Sequence, residues 1–312
     1  MSYIITGGSG FIGSHIVETL LQNNEYIIVL DNLATGKIQN IIPFLENKNL
    51  EFIKGSITDL SLLNKLFKDV DGIFHEGAIP SVQRSVEDPI ASNEANITGT
   101  LNVLVAARDA GIRKVVFAAS SSAYGDTPTL PKVETMPANP LSPYALTKYT
   151  CEQYCYLFSK LYGLQTACLR YFNVYGPRQN PESNYAAVIP KFITTILRNE
   201  SPIIHGDGLT SRDFTFVNDV VQANLKAMQS DAQGVYNIAY GQGTTLNELA
   251  HMIMDITDNQ VDIRYDDPRV GDVKHSLADI TKAQSSFGYT PEYSIRKGLE
   301  VTIEWFKNQS KI

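Results

Sequence analysis

The chain has 312 residues, enough to bury one large core or a main domain with a lobe attached. Hydrophobic residues make up 43% and charged residues 19%, with no apolar run long enough to cross a bilayer, and the net charge of −7 argues against a general nucleic-acid surface, though not against a local basic pocket for a phosphate ligand. The N-terminus enters an apolar strand and a glycine turn at once, without the basic, apolar and small-residue regions of a signal peptide, so a cytoplasmic protein is expected.

In chain order, short apolar runs alternate with longer amphipathic stretches, the pattern of βαβ units on a parallel sheet. Strands are predicted at 3–6, 27–30, 51–54, 73–75, 115–119, 166–170 and 235–238, and helices at 13–22, 61–67, 93–110 and 144–161, the third closed by Gly111. This is a doubly wound α/β fold. After Tyr171 the regularity weakens, with Pro177, Pro181, Pro190 and Pro202 as punctuation and one clear helix at 189–198. A helix at 246–256, a strand at 261–265 and a terminal amphipathic helix through Trp305 follow. The expected division is a sheet domain of residues 1–175 with 216–240, and a smaller, discontinuous lobe of 176–215 with 241–312 covering the C-terminal strand ends, where open α/β folds bind ligands. Cys151, Cys155 and Cys168 lack the spacing and neighbouring histidines of a metal site and read as reduced, packed thiols.

The segment Thr6-Gly7-Gly8-Ser9-Gly10-Phe11-Ile12-Gly13 joins the first strand to the first helix. Its small residues let the backbone turn tightly and approach a pyrophosphate, which the helix N-terminus then faces with free N–H groups. Asp31 ends the second strand, where a carboxylate can grip an adenosine ribose. It would repel a 2′-phosphate, and the following Asn32-Leu33-Ala34-Thr35-Gly36 brings no arginine to offset it, so NAD is favoured over NADP. Tyr144 and Lys148 lie four apart at the start of a helical stretch and share one face. A tyrosine is a poor base at neutral pH, but an adjacent ammonium and the positive ring of NAD⁺ both favour its phenolate. Ser120-Ser121-Ser122 end the strand 115–119, at the sheet edge where a hydroxyl can share the proton.

These residues resemble the extended short-chain dehydrogenase/reductase family over nearly the whole chain. The match takes in the glycine turn, Asp31, the Ser120, Tyr144 and Lys148 set, Arg170-Tyr171-Phe172-Asn173-Val174-Tyr175-Gly176-Pro177, Arg212-Asp213-Phe214, and Gly298-Leu299 with Trp305-Phe306. Within the family the chain looks most like the UDP-N-acetylglucosamine 4-epimerases, through Ser120 to Asp126, Asn139 to Ala145, and Tyr185-Ala186-Ala187-Val188-Ile189-Pro190. The resemblance implies a UDP-hexose 4-epimerase with tightly bound NAD, Tyr144 as base, Ser120 as hydroxyl partner, and Lys148 tuning Tyr144 and holding the nicotinamide ribose. It extends the cofactor site to Gly10, Phe11, Ile12, Ser56, Ile57, Gly77, Ala78, Asn96 and Tyr171. It lines the UDP-sugar site with Ser121, Ser122, Asn173, Ala187, Val188, His205, Arg212, Arg269, Asp272 and Ser276, and cationic forks such as Arg212 and Arg269 suit a diphosphate.

Ser276 stands where glucose-specific relatives tend to carry a bulky tyrosine, which implies room for a 2-acetamido group. Glu76 replaces an apolar residue usual beside the cofactor, and Pro80 stands where many UDP-galactose epimerases have a lysine. A 4,6-dehydratase is the nearest rival, but Ser121 and Ser122 occupy the places of its usual Asp-Glu pair. UDP-glucuronate 4-epimerase remains an alternative, as does a non-catalytic NAD-binding sensor, whose mark would be loss of Tyr144 or Lys148. The family also implies a homodimer packed through the helices 93–110 and 144–161, with Leu101, Leu104, Val105, Tyr149, Tyr156 and Leu157 suiting either that interface or the core.

Overall fold

In the computed structural model, which describes residues 1–181, 187–268 and 274–309, the predicted alternation becomes regular structure from the first residues on. The chain runs through β1 (Ser2–Thr6), α1 (Phe11–Gln22), β2 (Tyr26–Asp31), β3 (Leu50–Lys54), α2 (Leu60–Leu66) and β4 (Gly72–His75). Two short helices, α3 (Val82–Glu87) and α4 (Pro89–Asn93), lead through a π turn at Glu94–Thr98 into α5 (Gly99–Asp109), and β5 (Lys114–Ser120), α6 (Pro143–Tyr162) and β6 (Gln165–Tyr171) follow. With the strand Gly234–Ile238 beyond β6, these strands form a seven-stranded sheet in which β1 lies between β4 and β2, and all pairings are parallel. The chain winds outward from β1 to β3, then returns to β4 and winds the other way. The crevice between β1 and β4 is therefore the topological switch point.

Alternation along each strand splits the core between two faces. Ile5, Phe74, Val116 and Leu169 pack with α1 and α8 (Val217–Gln229) on one side, while Ile4, Ile73, Val115, Phe117 and Cys168 pack with α2, α5 and α6 on the other. Burial on both faces explains why these strands read as continuous apolar runs. The three cysteines are free and buried.

A third core belongs to the lobe, where α7 (Val188–Leu197), α9 (Leu246–Thr257) and α11 (Ile295–Gln309) bring Ile193, Ile196, Leu249, Ile253, Leu299 and Ile303 together with Tyr175 and Phe216. Among the described residues no helix is long and apolar enough to cross a membrane.

The structure differs from the sequence expectation in several places. The helix expected over 93–110 is interrupted by the π turn, which turns Asn96 inward, where it is buried. The strand expected over 261–265 is Arg264–Asp266, paired in parallel with Ile203–His205. Helices α8 and α10 (Thr281–Phe287) stand where no helix is predicted. Ala283 of α10, and Tyr289 just beyond it, pack into the sheet core, so this stretch belongs with the sheet body although it falls within 241–312, the span expected to be lobe.

Candidate active site

A cleft of about 880 Å³ opens along the C-terminal strand ends at the switch point. Its first wall is the turn after β1. Gly7 has φ +70°, and a Cβ on Gly13 would stand 2.3 Å from the Gly7 carbonyl oxygen, so the turn can close onto α1 only without side chains. The Gly10 N–H donates to that same carbonyl at 2.9 Å. Gly7, Gly10, Phe11, Ile12 and Gly13 all line the cleft.

Asp31 faces the turn from the end of β2. It accepts the Ser9 N–H at 3.0 Å and the Leu33 N–H at 2.8 Å, and burial raises its pKa despite these two bonds. Each carboxylate oxygen keeps a lone pair for a ribose hydroxyl. A Cβ on Gly36 would come within 2.8 Å of the carboxylate, which accounts for a glycine there. Asn32, Thr35, Gly36, Ser56, Ile57, Gly77 and Ala78 continue the wall.

The opposite end belongs to α6. Its start is fixed by Ser142, whose hydroxyl accepts the Ala145 N–H at 3.1 Å, and by Pro143 in the first turn. The Tyr144 N–H donates to Ser85 Oγ at 2.9 Å, tying α6 to α3. Lys148, on the same face one turn on, is buried and donates from Nζ to the Ala118 carbonyl at 2.7 Å. Further along, Arg170 of β6 grips Glu152 with two bonds of 2.9 and 2.7 Å, both side chains buried, and so fastens α6 to the sheet. Tyr144, Lys148 and Tyr171 share the cleft with the glycine turn and Asp31.

Two residues of the expected cofactor set, Asn96 and Ser120, also make hydrogen bonds within the protein. Asn96 does not line the cleft; its side chain accepts from the Ile79 N–H at 2.8 Å and donates to the Ile79 carbonyl and to Thr147 Oγ1, bracing the wall from behind. Ser120 caps the turn that follows β5, accepting the Ser122 N–H and lying 2.8 Å from the Ser122 hydroxyl, while Ala118 and Ala119 face the cleft. Ser121 and Ser122 belong to that same turn.

Of the expected substrate set, Ala187 lines the cleft and precedes α7 as an extended residue with no side-chain cap, and Val188 is the helix's first residue. Asn173, at φ 36°, donates to the Asp213 carbonyl at 3.1 Å, next to Arg212. Arg212 donates to the carbonyls of Ser211 and Lys274, and the Ser276 N–H donates to the Ser211 carbonyl at 3.1 Å, so Asn173, Arg212 and Ser276 converge on one strand, Ser211–Asp213. His205 is half-buried and its Nδ1–H donates to the Asp267 carbonyl at 3.2 Å. Arg269 and Asp272 lie outside the described residues.

Some cleft residues escape the sequence reading: Arg84 and Glu87 of α3, and Gln179 and Asn180 after the Arg170 to Pro177 segment. A six-residue helix carries too few turns for periodicity to reveal it. Glu76, visible beforehand as a departure, sits in the cleft floor with Tyr171 Oη donating to its Oε1 at 2.8 Å.

The model of the NAD dependent epimerase/dehydratase family matches residues 3–239. A putative UDP-glucose 4-epimerase of Methanocaldococcus jannaschii is 44% identical over 99% of both chains. Among solved structures, a UDP-N-acetylglucosamine 4-epimerase from Methanobrevibacter ruminantium M1, in complex with UDP-N-acetylmuramic acid, superposes with a TM-score of 0.95 at 43% identity, covering 99% of this chain and 98% of that one. A UDP-glucose 4-epimerase from Thermotoga maritima, with UDP-glucose, gives 0.94 at 39% identity, covering 99% and 100%.

Proposed function

Because the chain belongs to the NAD dependent epimerase/dehydratase family, we propose that it inverts C4 of UDP-hexoses, acting on UDP-GlcNAc and UDP-GalNAc and also on the plain UDP-hexoses. The observation that carries this reading is one shared cleft: Tyr144 and Lys148 at one end, the glycine turn and Asp31 at the other.

The cleft suits NAD on structural grounds, since its turn is a cradle that a Cβ at Gly13 would fill and the same end holds the Asp31 carboxylate, with lone pairs left for a ribose hydroxyl. Gly7, Gly10 and Gly13 would hold the pyrophosphate, Asp31 the adenosine ribose, and Lys148 the nicotinamide ribose. Bound there, NAD supplies a hydride acceptor and donor for the sugar C4. The chain's own work is proton transfer and grip. Tyr144 takes the C4 hydroxyl proton and returns it to the 4-keto sugar from its phenol, with Ser120 sharing the hydrogen bond. Lys148, one helical turn after Tyr144 and held by the Ala118 carbonyl, lines the same cleft as that phenol.

Epimerisation also requires the keto sugar to turn over. A site that holds UDP firmly through Asn173, His205, Arg212 and Arg269, but leaves the sugar among the small side chains Ser121, Ser122 and Ser276, meets that need. Ser276 gives space to a 2-acetamido group. The exposed Tyr156, Leu157 and Leu161 on α6 support a homodimer packed through α5 and α6, whereas Leu104 is committed to the core.

Incubation with UDP-GlcNAc, and separately with UDP-glucose, without added cofactor tests the reading. Formation of the C4 epimers is expected. No epimer from any UDP-hexose, with or without added NAD, would refute it.

A further inference from the structure

Glu76 extends β4 by one residue, its N–H donating to the Thr6 carbonyl at 3.1 Å. From there the side chain crosses the end of β5, where Ala118 presents only a methyl group, and meets Tyr171 on β6. Crossing β5 carries the carboxyl away from the glycine turn and toward Lys148. The Tyr171 phenol lies between Glu76 and Asn224 and is fully committed. Asn224 of α8 donates to Tyr171 Oη at 2.8 Å, so the single phenolic proton goes to Glu76 Oε1, also at 2.8 Å. A carboxyl that receives such a bond is held as an acceptor, which favours its ionised form.

We propose that Glu76 is a redox-tuning residue, whose carboxylate favours the positively charged oxidised nicotinamide over the neutral reduced ring. This rests on the reading above, in which the Tyr144 and Lys148 end of the cleft is the nicotinamide end. With NAD bound, breaking the C4–H bond of the sugar would pass its electron pair with the hydride to the ring and cancel the ring's positive charge, while the hydroxyl proton would go to Tyr144. A neighbouring carboxylate opposes that loss and draws the equilibrium back toward oxidised cofactor with intact sugar. The enzyme thereby keeps the keto sugar, which can escape, at low occupancy.

The surroundings leave this charge poised. From α6 come Lys148 and Tyr144, from β6 Tyr171, and from α3 Arg84 and Glu87 in the same cleft. β1 and β5 offer the uncharged Thr6, Gly7, Ala118 and Ala119, α8 offers Asn224, and His75 beside Glu76 is kept neutral by burial, its pKa lowered to about 3. Burial pushes the Glu76 carboxyl up to about 7, against the opposing pull of the Tyr171 bond and Lys148. As pH rises through neutrality the carboxylate forms and preference for the oxidised cofactor grows; below it the preference is lost.

The test equilibrates the purified holoenzyme with a soluble two-electron dye couple and reads reduced nicotinamide by absorbance and fluorescence, from about pH 5.5 to about pH 8.5, a span that brackets neutrality. Wild type should show a bend near neutral pH beyond that of the free NAD couple. Glu76→Gln should raise the equilibrium constant for reduction about ten-fold above neutral pH and abolish the bend. Tyr171→Phe, which removes the bond favouring the carboxylate, should move the bend to higher pH, and it carries the test should Glu76→Gln fail to retain cofactor. Equal reduction and equal pH profiles in wild type and Glu76→Gln would overturn the proposal while leaving epimerase activity standing. A protein in which no nicotinamide can be reduced at any dye potential would overturn this proposal and the functional reading together.

Discussion

On the cofactor side of the cleft, the glycine turn and Asp31 come from adjacent parallel strands, β1 and β2, and are held by main-chain bonds such as Gly10 N–H to Gly7 O. On the lobe side, Asn173, Ala187, His205, Arg212 and Ser276 come from separate segments, joined by bonds such as Asn173 Nδ2 to Asp213 O and Ser276 N–H to Ser211 O. Asp213 anchors much of this, its carboxylate accepting the N–H groups of Tyr240, Gly241 and Ala278. Geometry fixed by strand register admits few alternatives. Geometry assembled from loops can change one residue at a time, so on the proposed assignment sugar preference is the more adjustable property and cofactor binding the less.

The largest expected effect lies where the two sides meet. Tyr144→Phe should lower turnover by a factor of about 10² to 10⁴, while calorimetry finds UDP binding unchanged; full turnover in that variant would remove Tyr144 as the base. Next comes the rigidity of the sheet side. Glu152→Ala strands a buried guanidinium and should cost about 3–5 kcal/mol of stability, read as a lower denaturant midpoint; a shift typical of a surface substitution would mean that α6 is held by packing alone.

Arg212→Ala should weaken UDP binding by about 1.5–3 kcal/mol, the range for a hydrogen bond to a charged group, with NAD content of the purified protein unaltered. Release of NAD from that variant would show that the two sides are not separable. Ser276→Tyr should give the smallest change, about ten-fold or somewhat more in the acetylated-to-plain substrate ratio of kcat/KM. Equal losses for both substrate types would take Ser276 out of sugar selection.

The same contrast governs how much the residues reveal before folding. The central sheet strands β1, β4, β5 and β6 announce themselves because they are buried on both faces, and the glycine turn because few residues tolerate that backbone. Helix α8 is harder to see. Its buried Val217, Val220 and Val221 suit a strand as well as a helix, and tertiary packing on the sheet decides between them. Asn96 reads as a cofactor ligand by resemblance, yet the π turn that points it at Ile79 leaves no periodic trace. The convergence of Arg212 and Ser276 on one short strand joins residues 64 positions apart and depends on long-range pairing that no local pattern encodes.

The inward turn at Glu94–Thr98 also has a mechanical side. Asn96 holds the loop after β4 at Ile79 through both its amide oxygen and its amide nitrogen, and that nitrogen also holds α6 at Thr147, which immediately precedes Lys148. The loop that walls the cleft and the helix proposed to carry the proton chemistry therefore share a single rivet. Asn96→Ala should loosen both together, seen as faster amide exchange at Ile79 and through the first turns of α6 in the same variant; faster exchange at one alone would show that they are fastened separately.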